Sequence, residues 1–314
     1  MYLAHFKLKE EPFRLTPDPE FLYLSKQHIK AKTYLDFAIW RNDGFVVITG
    51  EIGSGKTTVL NSVVSSLDKN IIVARIHQTL LNENELLQSI MVELGIKYDG
   101  TNKVDLITRL NEYLIAKYRE NKKVVLVIDE AQNLGVKVLE ELRLLSGLET
   151  NDAKLINIVI VGQPELKTLL ESVELEQLAQ RIRLQFHIDR LSPEDTVEYI
   201  QYRLKKAGSE NPTLFLKDVY PYIYNYTGGI PRLINILCDT ALIVSYADGK
   251  RQITIEEIKQ AIKDLQWVTY KRRMEKLKIA KTTKNKKSGN EEWVSIKYDT
   301  LPLDFDLGNV KSEE

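Results

Sequence analysis

The chain has 314 residues, 43% of them hydrophobic, and 44 basic side chains against 44 acidic ones. That length holds a medium domain plus a smaller one, and the charge balance excludes a chain-wide attraction to polyanions while leaving local basic patches open. The single cysteine, Cys238, excludes an intramolecular disulfide and suits a reducing compartment.

The first residues, Met1 to Lys7, lack an apolar core of signal-peptide length, and no run approaches the roughly 18 apolar residues of a membrane span. The expectation is a cytoplasmic protein with no membrane span. Residues 1–24 are dense in proline and aromatics (Phe6, Pro12, Phe13, Pro17, Pro19, Phe21, Tyr23), which forbids a long helix. This arm is expected to be extended and to pack along the domain that follows it. Residues 26–41 then read as a helix with Ile29, Tyr34, Leu35, Ala38 and Ile39 on one face, ended by Asn42-Asp43-Gly44.

The stretch from Phe45 to Thr58 reads as a buried strand, a glycine-rich turn and a helix start. Gly50-Glu51-Ile52-Gly53-Ser54-Gly55-Lys56-Thr57, followed by Thr58, fits G-x-x-x-x-G-K-[ST]. The glycines let successive backbone N–H groups turn inward on a phosphate chain. Lys56 is placed for the β- and γ-phosphates of ATP, Thr57 for Mg²⁺, and the helix N-terminus for the same anion.

A second strand covers 71–76, helices cover 83–94 and 103–119, and a third strand, 124–128, ends in Asp129-Glu130. Asp129 is the expected Mg²⁺ residue opposite Thr57, and Glu130 the residue that activates the attacking water. Asn102-Lys103-Val104-Asp105 matches the guanine-reading N-K-x-D motif but precedes Asp129 and follows no buried strand. It is read as a helix-start turn instead. Helix 136–148 leads to a fourth strand, 155–161, and Gln163 at its end is placed for the γ-phosphate or the water.

Arg181 opens a fifth, edge strand through Ile188 and can be donated into a neighbouring subunit's site; Arg183, two residues on, is an alternative for that role. Alternating strands and helices specify a parallel sheet buried on both faces. From Ser192-Pro193-Glu194-Asp195 the strands stop, with Ser192 as N-cap and Asp195 able to complete a capping box. Helices near 193–207, 215–226, 231–246 and 254–267 follow, and Gly228-Gly229-Ile230-Pro231-Arg232 can aim Arg232 back at the nucleotide. Cys238 reads as packing. His5, His28, His77 and His187 have no ligand-like spacing, so Mg²⁺ is the one metal expected.

The expected fold is therefore a P-loop α/β ATPase of the type with a glutamate after the metal aspartate, carrying a small all-α lid. The boundaries read as an arm at 1–24, an α/β domain at 25–190, a helical lid at 191–268 and a flexible remainder at 269–314. That remainder has a basic run, 271–287, and an acidic, aromatic tail, 291–314, suited to docking a partner or to disorder.

Taken together, these residues resemble the AAA+ ATPases of the ExeA/GspA family (general secretion pathway protein A). The match runs from Phe13-Arg14-Leu15-Thr16-Pro17-Asp18-Pro19 through the phosphate loop and Ile128-Asp129-Glu130-Ala131-Gln132-Asn133-Leu134. It continues in Val161-Gly162-Gln163-Pro164, Gln180-Arg181-Ile182 and Gly228-Gly229-Ile230-Pro231-Arg232. The resemblance implies sensor-1, arginine-finger and sensor-2 roles for Gln163, Arg181 and Arg232, and an ATP-dependent homo-oligomer. It also implies a protein partner in a secretion, pilus or exopolysaccharide assembly system. Related AAA+ proteins such as phage Mu B bind duplex DNA, which the basic run 271–287 keeps open as the alternative.

Overall fold

Five apolar runs line up as one parallel sheet in the computed structural model, which describes residues 2–16, 18–41, 44–100, 102–151 and 153–287. The arm begins with a short helix, α1 (Tyr2–Phe6), and α2 (Lys26–Arg41) leads into β1 (Phe45–Gly50). After the phosphate loop come α3 (Lys56–Ser66), β2 (Ile71–Ile76), α4 (Glu83–Glu93), α5 (Lys103–Arg119) and β3 (Lys123–Ile128). Next are α6 (Val136–Leu145), β4 (Asn157–Gly162), α7 (Pro164–Leu170), α8 (Glu176–Ala179) and β5 (Ile182–Ile188). Helices α9 (Pro193–Lys206), α10 (Val219–Thr227), α11 (Pro231–Ala247), α12 (Ile255–Asp264) and α13 (Tyr270–Lys287) follow.

The strand order is β2-β3-β4-β1-β5, with every pairing parallel. Because all strands point the same way, the loops after β1, β3 and β4 open on one edge of the sheet. That edge holds the site, as ligand crevices in open parallel sheets do. Side chains alternate between two apolar layers. Val47, Leu126 and Ile160 face a layer that includes α4, α5 and α6, while Val46, Val127 and Val159 face α2 and α3. Each such side chain contributes about 1.5–3 kcal/mol by leaving water, which fixes the strand ends in place.

β5 is the edge strand expected, and its register carries an irregularity. Ile182 lies opposite Phe45 and Leu184 opposite Val46, so Arg183 is an extra, bulged residue. On α2, Leu35, Ala38 and Ile39 are buried as expected, joined by His28 and Ala31. Ile29 and Tyr34 turn outward instead, 52% and 37% exposed. Asn102 caps α5, its side chain accepting the Val104 N–H at 3.0 Å, so the N-K-x-D match is a helix start. Ser192 caps α9 through the Asp195 N–H at 3.0 Å.

The arm departs from the expectation. It is partly helical, in α1 and in a 3₁₀ turn at Pro19–Phe21, and its aromatics pack against the helical layer rather than the sheet. Phe6, Leu8, Phe13 and Phe21 share a core with Ile200, Leu237 and Ile258, and Cys238 is buried among them. The polar counterpart is Arg203 on α9, whose guanidinium donates to the carbonyls of Pro12 (2.5 Å) and Arg14 (3.2 Å). A proline-rich arm lacks helix or sheet partners for its carbonyls, and a buried arginine supplies donors for two of them. Residues 1–271 form one compact unit, and 272–314 cluster separately. The basic stretch read as a flexible remainder is helical to Lys287, because Lys, Arg, Met, Leu and Ala favour helix and no Gly or Pro interrupts them. The acidic, aromatic tail 291–314 lies outside the described residues, as do Asn42 and Asp43.

Candidate nucleotide site

Gly50 ends β1, and the loop from Glu51 to Gly55 delivers the chain into α3. Gly53 and Gly55 have φ of +79° and +99°, a left-handed backbone that side chains disfavour. A Cβ on Gly53 would stand 2.7 Å from the Cβ of Arg232, and one on Gly55 would stand 2.8 Å from Nε2 of His28. The loop's tight curl and its close neighbours thus both require glycine.

Lys56 is buried, its Nζ donating to the carbonyls of Gly50 (2.8 Å) and Glu51 (3.0 Å). Burial lowers its pKa, while the carboxylates of Glu130, Asp129, Glu165 and Glu51 act in the opposite sense. An ammonium in that position gains from a polyanion, which replaces weak carbonyl contacts with charge pairing. Thr57 donates its hydroxyl to Asp129 Oδ2 at 2.9 Å across the gap between α3 and the end of β3. One hydroxyl and one carboxylate oxygen, side by side and facing the loop, are the hard oxygen donors Mg²⁺ takes beside phosphates. The donor set therefore fits an ATP–Mg²⁺ pair.

Glu130 follows with φ of +54°, in the left-handed region rare for a non-glycine residue. Its carboxylate accepts from Gln132 Nε2 at 2.7 Å and from Gln163 Nε2 at 3.1 Å. Burial pushes the Glu130 pKa up, but the two amides and the Lys56 charge more than offset it, holding the carboxyl below its ordinary value. Gln163 itself is held by its backbone N–H, which donates to Gln132 Oε1 at 2.9 Å. The structure thus joins the ends of β1, β3 and β4 through Lys56, Thr57–Asp129 and Glu130–Gln163.

Arg232, the second residue of α11, sits against the loop, its N–H donating to the Gly53 carbonyl at 3.4 Å. It lines a cleft of about 380 Å³ together with Lys56, Thr57 and Glu130. Ile52 and Thr58 line it as well. Ser54 is fully buried, and its backbone rather than its hydroxyl is the part held in place. Arg181 is not in this cleft. It lies at the start of β5, where its Nη1 reaches the Arg143 carbonyl and Ser146 Oγ, both at 3.3 Å, beside Gly44 and Phe45 at the start of β1.

Sequence reasoning missed six contributors. Arg14, Leu15 and Thr16 of the arm line the same cleft as the phosphate loop. Tyr270 donates to Glu51 Oε2 at 2.6 Å while Arg190 stacks over its ring at 4.7 Å. That bond and burial raise the Tyr270 pKa to about 12, burial being the larger cause. The last is His28, whose Nε2 must donate, since its partner at 2.9 Å is the Ser54 carbonyl. Nδ1 lies 2.7 Å from Ser25 Oγ, and the two contacts together pin the loop to α2.

Burial lowers the His28 pKa, a bond to Ser54 and the Asp195 charge acting weakly against it. With a folded pKa below the unfolded 6.5, the unfolded chain takes up the proton first as pH falls. The stability this provides is full above about pH 6.5 and is lost as pH drops toward the folded value. Melting curves from pH 7.5 to 5.5 are therefore expected to show a falling Tm that flattens in His28→Gln; an unchanged pH slope in that variant would count against the assignment.

Residues 40–170 match the AAA domain family. Over 262 residues, 83% of this chain, the sequence is 40% identical to general secretion pathway protein A of Aeromonas hydrophila. The chain spans about half of that relative, 48% of its length. The fold is similar to CDC6P of Pyrobaculum aerophilum (TM-score 0.65, 18% identity, covering 81% of this chain and 70% of that one). It is also similar to the ORC2 protein of Aeropyrum pernix in its ADPNP–ADP complexes (TM-score 0.59, 15% identity, 81% and 71%). A third is Drosophila ORC bound to DNA (TM-score 0.61, 16% identity, 82% and 65%). At these identities the structural likeness speaks for the fold alone. With the sheet order, the phosphate loop and the Asp129-Glu130 edge in place, the 262 matched residues belong to the AAA+ ATPases of the general secretion pathway protein A family.

Proposed function

We propose that the protein binds ATP with Mg²⁺ and hydrolyses it, as a homo-oligomer whose sites lie at subunit boundaries. The cycle serves a secretion, pilus or exopolysaccharide assembly system through a protein partner. The observation that carries the chemistry is the cluster of Lys56, Thr57–Asp129 and Glu130–Gln163 on one edge of the sheet. Thr57 and Asp129 are the residues to hold Mg²⁺, which when bound neutralises phosphate charge and polarises the terminal phosphoryl group. Lys56 and Arg232 add positive charge on the same side, and Glu130, kept anionic, orients the water with Gln163. Leu15 and Phe21 of the arm line the same cleft and offer apolar cover for the base.

The relative's name supports the secretion reading, and that relative extends well beyond the stretch matched here. The basic stretch in α13 favours a second reading, in which duplex DNA is the partner. Nine Lys or Arg residues fall between 271 and 287, enough for several phosphate contacts. Among the described residues no helix is long and apolar enough to cross a membrane.

Steady-state ATP turnover over a protein concentration series, with and without duplex DNA, separates the two. Turnover that rises cooperatively with protein concentration and ignores DNA is the expected result. Strong DNA stimulation, abolished by neutralising the basic residues of 271–287, would replace the envelope-assembly reading with the DNA reading. No turnover at any concentration would overturn the ATPase itself.

A further inference from the structure

The outward side of α2 and the free edge of β5 form one continuous surface of an unusual kind. Tyr34, Phe37 and Trp40 recur every third residue along α2 and are 37%, 51% and 71% exposed. Tyr34 meets the Phe186 ring of β5 edge-on at 5.8 Å, and Lys30 Nζ lies 5.6 Å from the Tyr34 ring and 6.0 Å from that of Phe186. Among the described strands β5 pairs with β1 alone, so its outer row of backbone N–H and C=O groups faces away from the sheet.

The two faces of that edge differ in chemistry. Leu184 and Phe186 pack toward the α2 layer, while Arg183, Gln185 and His187 are exposed. The exposed charged residues of α2 are Lys26, Lys30 and Arg41, and its one acid, Asp36, is paired with Lys32 at 2.9 Å. A strand added to this edge would need apolar side chains at alternate positions facing α2. Between them, on the Arg183 side, it would need acidic or neutral ones.

The chain carries such a segment. Leu301-Pro302-Leu303-Asp304-Phe305-Asp306-Leu307 places apolar residues at 301, 303, 305 and 307 and acids at 304 and 306. No Lys or Arg falls between Lys297 and Lys311. Its single proline costs nothing on an outermost strand, where one side of the backbone needs no partner. The geometry points to β-strand addition between copies: residues 301–307 of one copy pair with the β5 edge of another, their apolar side chains against Leu184, Phe186 and Tyr34. Pairing by an exposed edge with a second chain is what such an edge templates unless it is covered, and here both complementary halves lie on one polypeptide. The inference does not depend on ATP turnover, and its test uses none.

The test places a benzophenone-bearing phenylalanine at position 305 of the full-length protein and irradiates a one-to-one mixture with ¹⁵N-labelled wild type, without nucleotide. The expected product is a covalent dimer whose yield rises with protein concentration. Mass spectrometry should map its adducts to labelled peptides containing residues 26–41 or 182–188. Tyr34→Ala with Phe37→Ala on the acceptor, both at exposed positions, should remove that dimer, as should Asp304→Lys with Asp306→Lys beside the probe. Adducts confined to monomers would mean closure within one copy and would overturn the inference, as would adducts elsewhere on the surface or none at all.

Discussion

Glu130→Gln is expected to abolish ATP turnover, by at least about 10²-fold, while leaving ATP–Mg²⁺ affinity nearly unchanged. The distinction rests on where the two acids of this strand end point. Asp129 is tied to Thr57 at 2.9 Å and is the residue proposed for Mg²⁺, so its replacement is expected to weaken nucleotide binding itself. Glu130 is clasped instead by the Gln132 and Gln163 amides, at 2.7 and 3.1 Å. Those donors hold the carboxyl below its ordinary value despite burial, so it is ionised throughout the neutral range and can order a water. A glutamine has the same shape but cannot take up the proton. The measurement pairs single-turnover hydrolysis with equilibrium binding of a fluorescent ATP analogue. Binding lost together with turnover would show that Glu130 acts on the metal or the loop, and unchanged turnover would remove it from the chemistry.

The nearness of Glu130 to Gln163 was legible in sequence because both sit immediately after buried strands of a parallel sheet. Strand ends are marked by where an apolar run stops, and parallel strands bring those stops to one edge. The glycine-rich loop was legible for a stronger reason, since its shape is local. What could not be read depended on contacts between distant segments. His28 lies on a helix whose outer residues, Ile29 and Tyr34, are as apolar as the inner ones, so periodicity placed Leu35, Ala38 and Ile39 correctly but put Ile29 and Tyr34 on the buried face and left out His28. Its bond to the Ser54 carbonyl spans 26 positions and leaves no local pattern. The arm's aromatics announce that they need cover without saying which layer supplies it, and the answer hinges on Arg203, an arginine within an ordinary amphipathic helix. Tyr270 shows no signal at all, being one of 15 tyrosines. The bulge at Arg183 is a matter of register, which side-chain alternation cannot show when one residue is inserted.

That register bears on the last expectation, for Arg181. β5 runs parallel to β1, so Arg181 stands at the opposite end of the sheet from the phosphate loop, a strand length of about 20 Å away. No rotamer brings its guanidinium to its own cleft. If it acts on a nucleotide, it acts on a neighbour's, and Arg181→Ala should lower turnover by about 10³-fold with nucleotide affinity nearly intact. Arg183 is the competing candidate, bulged and exposed, and Arg183→Ala run in parallel identifies which of the two is used. The decisive arm mixes Arg181→Ala with Glu130→Gln, each inactive alone. A shared site built from the Glu130 of the first and the Arg181 of the second is whole, so the mixture should regain turnover neither partner has. A mixture no faster than its separate components would rule out shared sites and return Arg181 to its contacts with Arg143 and Ser146, where its loss should lower Tm rather than turnover.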